Sequence, residues 1–188
     1  EPVARVVSSW LYKFTRGGDT RSFLEIIEEG ENLVQKYLQC RKKYGKDYAC
    51  PFEIFLSPPP HEHKDRISKS HIGKSLYVYQ LESWFRQIPQ EQFLIMTMET
   101  YYQDGAARYT EILQFIGVPS IGEGGFKDEK HLSRAALVHR NSAHPSKVSK
   151  EEVTDALRLR LGRIYQKPNC ELDDLLGRKM GYCNETNH

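Results

Sequence analysis

The chemistry in this sequence is concentrated in a few short stretches. Arg41-Lys42-Lys43-Tyr44-Gly45-Lys46 is a dense basic run between Cys40 and Cys50. Such a run is a candidate for binding a sulfated or uronate polymer through several surface charges. Arg41, Lys42 and Lys43 are therefore candidate substrate-binding residues, and an ordinary soluble loop is the plain alternative. His61-Glu62-His63 would place two imidazoles on one face of a strand. No third ligand stands near them, so they read as solvated loop histidines and no metal is expected. Ser8 lies on a segment of helical period, outside its apolar stripe. Taken alone it reads first as an ordinary surface serine of an amphipathic helix; an exposed hydroxyl on an early helical turn, with backbone N–H groups and a guanidinium nearby, is the alternative, a compact phosphate site.

The four cysteines, Cys40, Cys50, Cys170 and Cys183, are spaced too widely for a short zinc motif and allow three disulfide pairings. Proximity in the chain favours Cys40–Cys50 and Cys170–Cys183. Asn184-Glu185-Thr186 is a glycosylation sequon beside the last of them. Disulfides and a glycan at Asn184 together point to a lumenal or extracellular compartment.

Composition sets the frame around these groups. The 188 residues suffice for one domain with a real core, and 27 Lys and Arg against 25 Asp and Glu give no global charge suited to nucleic acid. Apolar runs such as Phe93-Leu94-Ile95-Met96 are too short to cross a bilayer, and the N-terminus has no signal-peptide order. Membrane attachment, if any, is expected through a segment outside this chain, which opens inside a helix signal and reads as truncated.

Helical periods dominate. Val3, Val6, Val7, Trp10, Leu11 and Phe14 form one stripe, which Gly17-Gly18 should end. Ser22-x-x-Glu25 is a capping box opening a second helix, with an interruption expected at Gly30. Residues 41–70 read as a long irregular excursion. Tyr77, Leu81, Trp84, Phe85 and Ile88 restore the helical period until Pro89, with Tyr77 and Trp84 expected in the core. Phe93 to Met98 suits one buried strand ending at Glu99, which is expected to be a structural or capping acid. Helix, turn and buried strand predict an α/β fold with a parallel sheet, helices outnumbering strands. Asp104-Gly105 should open a further helix that stops at Gly117-Val118-Pro119, and Gly122 to Gly125 should be loop. A second capping box, Ser149-x-x-Glu152, should lead a helix through Tyr165, followed by a short one ending at Gly177.

Read in order, Glu1-Pro2-Val3-Ala4-Arg5-Val6-Val7-Ser8 and the block Gly73-x-Ser75-Leu76-Tyr77, Leu81-Glu82-Ser83-Trp84-Phe85, Gln92-Phe93-Leu94-Ile95 and Phe115-Ile116-Gly117-Val118-Pro119 carry a pattern. It resembles that of glycosaminoglycan-type carbohydrate sulfotransferases. Arg140-Asn141-Ser142-Ala143-His144-Pro145 resembles the loop that covers the cofactor in that family, in a spelling closest to the chondroitin-type GalNAc enzymes.

The resemblance implies 3′-phosphoadenosine-5′-phosphosulfate (PAPS) as sulfate donor, a glycan acceptor of acidic polysaccharide type, and a Golgi-lumenal or secreted setting reached as a type II membrane protein. It implies an incomplete P-loop-like sulfotransferase fold, the chain being the C-terminal part of one domain over residues 1–188. The lysine-rich phosphosulfate loop and the catalytic base are expected outside it, so no catalytic residue is assigned and the chain alone is expected to be inactive. By position, Ser8 takes the 3′-phosphate, and Arg140, Asn141, Ser142 and His144 approach the cofactor's phosphate and adenosine. The alternatives are a non-catalytic secreted glycan-binding module and a fragment of a P-loop nucleotide kinase.

Overall fold

The computed structural model describes residues 1–15, 19–45, 71–122, 124–136 and 153–183. They fall into two compact units, one built from Glu1–Ile88 with Pro145–His188 and the other from Pro89–His144.

In the first unit, α1 (Pro2–Thr15) and α2 (Phe23–Tyr44) are followed by a 3₁₀ turn, Gly73–Ser75, then α3 (Tyr77–Phe85) and the late helix α7 (Asp155–Leu176). The apolar stripe of α1 folds as its spacing predicts. Val6, Val7 and Trp10 are buried, and Val3, Leu11 and Phe14 pack against the same core. The Ser22 capping box is complete: Ser22 Oγ accepts from Glu25 N, and the Glu25 carboxylate accepts from Ser22 N at 2.7 Å. Helix α7 packs against α1, α2 and α3, placing Leu161, Tyr165 and Leu172 in the shared core. The Tyr165 hydroxyl donates to Ile72 O at 2.9 Å, fastening α7 to the segment just before the 3₁₀ turn.

Three local expectations change here. Helix α2 runs unbroken through Gly30, because Gly30 is where the fully buried Ile72 packs and a Cβ would collide with its side chain. The late helix is one rod through Pro168 to the left-handed Gly177, not two pieces. Its N-cap is Thr154, whose hydroxyl accepts from Leu157 N. Trp84 is 50% exposed, since α3 turns Val78, Tyr79 and Ser83 inward instead.

In the second unit, α4 (Met98–Gln103), α5 (Gly105–Phe115) and α6 (Glu129–Ala136) pack in sequence. Asp104 caps α5 through Ala107 N, and Gly117 at φ 74° ends it as expected. Tyr101 donates to Ala136 O at 2.9 Å and ties α4 to α6.

The expected α/β fold with a parallel sheet is corrected by this architecture. Among the described residues there is no strand and no sheet, only an isolated bridge between Ile121 and Phe126. The reason is local. The Thr97 hydroxyl accepts from Thr100 N, starts α4 and draws Met98 and Glu99 into its first turn. What remains of the apolar run, residues 93–97, is half-buried irregular chain. A sheet also needs lateral partners, and the remaining described segments follow a helical period rather than alternating every second residue. Among the described residues no helix is long and apolar enough to cross a membrane.

Candidate functional site

The first unit carries a cationic strip along α1. Arg5, Ser9 and Lys13 follow at i, i+4 and i+8 and span about 12 Å at 1.5 Å per residue, with Ser8 beside them. The 3₁₀ turn Gly73–Ser75 packs against this helix and brings Lys74 to the strip. Arg5 Nη1 donates to Ser75 Oγ at 3.3 Å, and the Arg5 guanidinium lies 5.9 Å from the Tyr77 ring centre.

Electrostatically the strip is unbalanced. Partial burial, and then the positive charges of Lys13 and Arg5, hold the Lys74 amine below the usual lysine range. Among the described residues no carboxylate pairs with Arg5, Lys13 or Lys74. Three cations gathered without a counter-charge repel one another, and an anion placed among them relieves that repulsion. A phosphate or sulfate group is therefore the ligand chemistry that this surface fits.

Behind the strip lies a buried polar array. His71 is fully buried, with Nδ1 2.8 Å from Ser9 Oγ and Nε2 3.1 Å from Asp19 Oδ2. The Asp19 carboxylate also accepts from Arg21 N and from Arg21 Nε at 2.8 Å. The Arg21 hydrogen bonds hold it far below the usual carboxylate range, so it is ionised. The proton positions follow. Neutral His71 donates from Nε2 to Asp19, which leaves Nδ1 as acceptor for the Ser9 hydroxyl. Ser9 thus spends its proton on His71, whereas the Ser8 hydroxyl is exposed to solvent.

The array makes stability depend on pH. Burial lowers the His71 pKa from 6.5, against the opposing pull of Asp19 and with Lys13 and Lys74 adding to the decrease. Below about pH 6.5 the unfolded chain takes up a proton that the folded state refuses, so stability is full above that pH and falls as pH drops toward the folded pKa. Thermal unfolding between pH 7.5 and 5.5 should show this loss, with a slope of up to about 1.4 kcal/mol per pH unit. His71→Gln, which cannot titrate, should flatten the dependence; an unchanged slope would assign it to other histidines.

The remaining sequence-derived candidates are distributed as follows. Ser8 is on the strip. The backbone N–H groups expected to help it are taken, because the Glu1 carboxylate accepts from Val3 N at 2.8 Å and Ala4 N at 2.6 Å. Arg41 is buried and separated in role from its neighbours: its guanidinium pairs with Glu82, with Nη2 to Oε1 at 2.8 Å, and lies 4.9 Å from the Tyr79 ring centre. Lys42 and Lys43 are exposed at the end of α2, Lys43 Nζ lying 4.7 Å from the Tyr44 ring centre. Cys170 and Cys183 form a disulfide, the pairing that proximity favours. Cys40 is disulfide-bonded as well. Cys50, Arg140, Asn141, Ser142, His144, Asn184, the His61 to His63 pair and the Ser149 capping box lie outside the described residues. Glu99 sits on the first turn of α4 rather than at a strand end.

Sequence reasoning missed Lys13, Lys74, Asp19 and His71. Lys13 was visible as the i+8 partner of Arg5, but His71 meets Ser9 across 62 residues and no spacing rule reaches that far. No protein-family model matches the chain, nor does any curated protein or solved structure.

Proposed function

We propose that this chain is part of a PAPS-dependent carbohydrate sulfotransferase, with the cationic strip of α1 as the seat of the donor's 3′-phosphate. The observation that carries this is the Gly73–Ser75 turn packed on α1, where Arg5 Nη1 meets Ser75 Oγ at 3.3 Å and the half-buried Lys74 feels the charges of Arg5 and Lys13, with no carboxylate paired to any of the three among the described residues, beside the exposed hydroxyl of Ser8. Arg5, Lys13 and Lys74 supply charge to the phosphate, and Ser8 supplies a directional hydrogen bond. The bound donor supplies the activated sulfuryl group, which an acceptor hydroxyl attacks in line.

Lys42 and Lys43, exposed at the far end of α2, suit contact with an acidic polysaccharide acceptor. The disulfide between Cys170 and Cys183 and the sequon at Asn184 support a Golgi-lumenal or secreted setting.

The alternatives make different demands. A P-loop kinase fragment would bind ATP in competition with 3′-phosphoadenosine 5′-phosphate. A glycan-binding module would bind sulfated polysaccharide and ignore the nucleotide. Ser8→Ala should weaken binding of 3′-phosphoadenosine 5′-phosphate, measured by calorimetry, by about 1–3 kcal/mol, the range for one charge-assisted hydrogen bond. Unchanged affinity would remove Ser8 from the site.

A further inference from the structure

The Asp19–His71–Ser9 array has no part in the binding just described, yet it joins the two elements that build the strip. Ser9 belongs to α1, and His71 lies two residues before the 3₁₀ turn that carries Lys74. Asp19 lies in the connection between α1 and α2, and Arg21 holds it there.

The same three side-chain types activate a nucleophile in hydrolases, but the surroundings here oppose that chemistry. Taking the Ser9 proton would make His71 an imidazolium. His71 is fully buried, Lys13 and Lys74 repel a positive charge on it, and the Asp19 carboxylate is already shared with Arg21. The imidazolium is therefore disfavoured and the proton stays on Ser9. What the array does instead is mechanical. Two hydrogen bonds on a fully buried ring fix the distance between α1 and the segment leading into the turn. Tyr165 on Ile72 O and Ile72 on Gly30 brace that segment from the other side.

We propose that His71, held by Asp19 and bonded to Ser9, is a positioning residue that sets the Gly73–Ser75 turn against α1 and thereby places Lys74 among Arg5 and Lys13. The role in ligand binding rests on the strip being the anion site; the placement of Lys74 does not. Without the array the turn loses its register on α1, and the Lys74 amine moves away from the other two cations into water.

The test is a side-chain NMR titration of the lysine amines in the full chain, for the wild type, Ser9→Ala, His71→Leu and His71→Asn. In the wild type, Lys74 should titrate below the usual lysine range. In Ser9→Ala and His71→Leu it should rise into that range, and affinity for 3′-phosphoadenosine 5′-phosphate should fall about tenfold, as for loss of one well-placed charge-assisted contact. His71→Asn, which keeps one acceptor and one donor, should restore part of both. A purely structural histidine would lower thermal stability and leave the Lys74 titration of each folded variant at its wild-type position, which would overturn the proposal. If His71→Leu does not fold, Ser9→Ala alone decides. Labelling of Ser9 by a fluorophosphonate in a His71-dependent way would also overturn it, in favour of a nucleophile. Wild-type protein that ignores the nucleotide would remove the anion-site role, while the Lys74 titration would still decide the positioning.

Discussion

Replacing Glu82 by alanine should cost the first unit about 3–5 kcal/mol of unfolding free energy, the range for breaking a buried ion pair from one side. The Arg41 and Glu82 side chains are only 8% and 14% exposed, so water does little to screen them. Two guanidinium nitrogens meet the two carboxylate oxygens, and Arg41 Nη1 also donates to the Tyr37 hydroxyl at 3.2 Å. Glu82 holds the Arg41 pKa above its ordinary value, and burial pushes the Tyr37 hydroxyl up to about 12. Arg41 keeps its charge at neutral pH, so removing Glu82 strands a buried guanidinium between α2 and α3. Urea unfolding of Glu82→Ala measures the loss. The double variant Arg41→Met with Glu82→Leu should recover most of it, because an apolar pair of similar volume needs no counter-charge. A loss below about 1 kcal/mol would mean that the pair behaves as an exposed one. Arg41 is accordingly a poor choice for testing glycan contact, and Lys42 and Lys43 are the informative positions.

Trp10→Ala should be comparably severe, at about 3–5 kcal/mol for a large core aromatic. Trp10 is fully buried, its ring 5.1 Å from Phe14 and 5.2 Å from Phe23, and its Nε1 donates to Arg21 O at 2.9 Å. That bond also bears on the site, because Arg21 holds Asp19 and Asp19 holds His71. Trp10→Phe keeps most of the packing and loses the hydrogen bond, leaving the Arg21 carbonyl short of a partner at about 1–3 kcal/mol. Denaturant melts of the two variants separate packing from polar loss. Equal destabilisation would show that the indole N–H carries the whole effect.

Where the sequence was legible, the information was local. The α1 stripe, the Ser22 and Glu25 reciprocal cap, the Asp104 start and the stops at Gly117 and Gly177 each depend on residues within a few positions of one another. The errors came where long-range packing or a competing local signal decided. The run from Phe93 to Met98 looks like a strand by apolar content, yet the Thr97 cap claims its end for a helix. Gly30 looks like a helix breaker, but its missing side chain makes room for Ile72, distant in the chain. The α6 helix carries only a faint local signal, because Asp128 accepts from His131 N at its start, a cap without the glutamate that makes a capping box conspicuous. The site divides in the same way. Ser8 was found from its own helix, whereas Lys74 and the buried His71 come from beyond a long stretch of chain and meet α1 only in the folded protein.

The most direct test of the anion site compares two nucleotides on the full chain by calorimetry at low salt: 3′-phosphoadenosine 5′-phosphate and adenosine 5′-phosphate. They differ only in the 3′-phosphate assigned to Arg5, Ser8, Lys13 and Lys74. The 3′-phosphorylated nucleotide should bind at least about tenfold more tightly, a difference of about 1.4 kcal/mol, with an affinity that falls as salt rises. Lys74→Gln should bring the two nucleotides together. Equal binding of both by the wild type, or a preference untouched by Lys74→Gln, would contradict the assignment of the α1 strip to the 3′-phosphate.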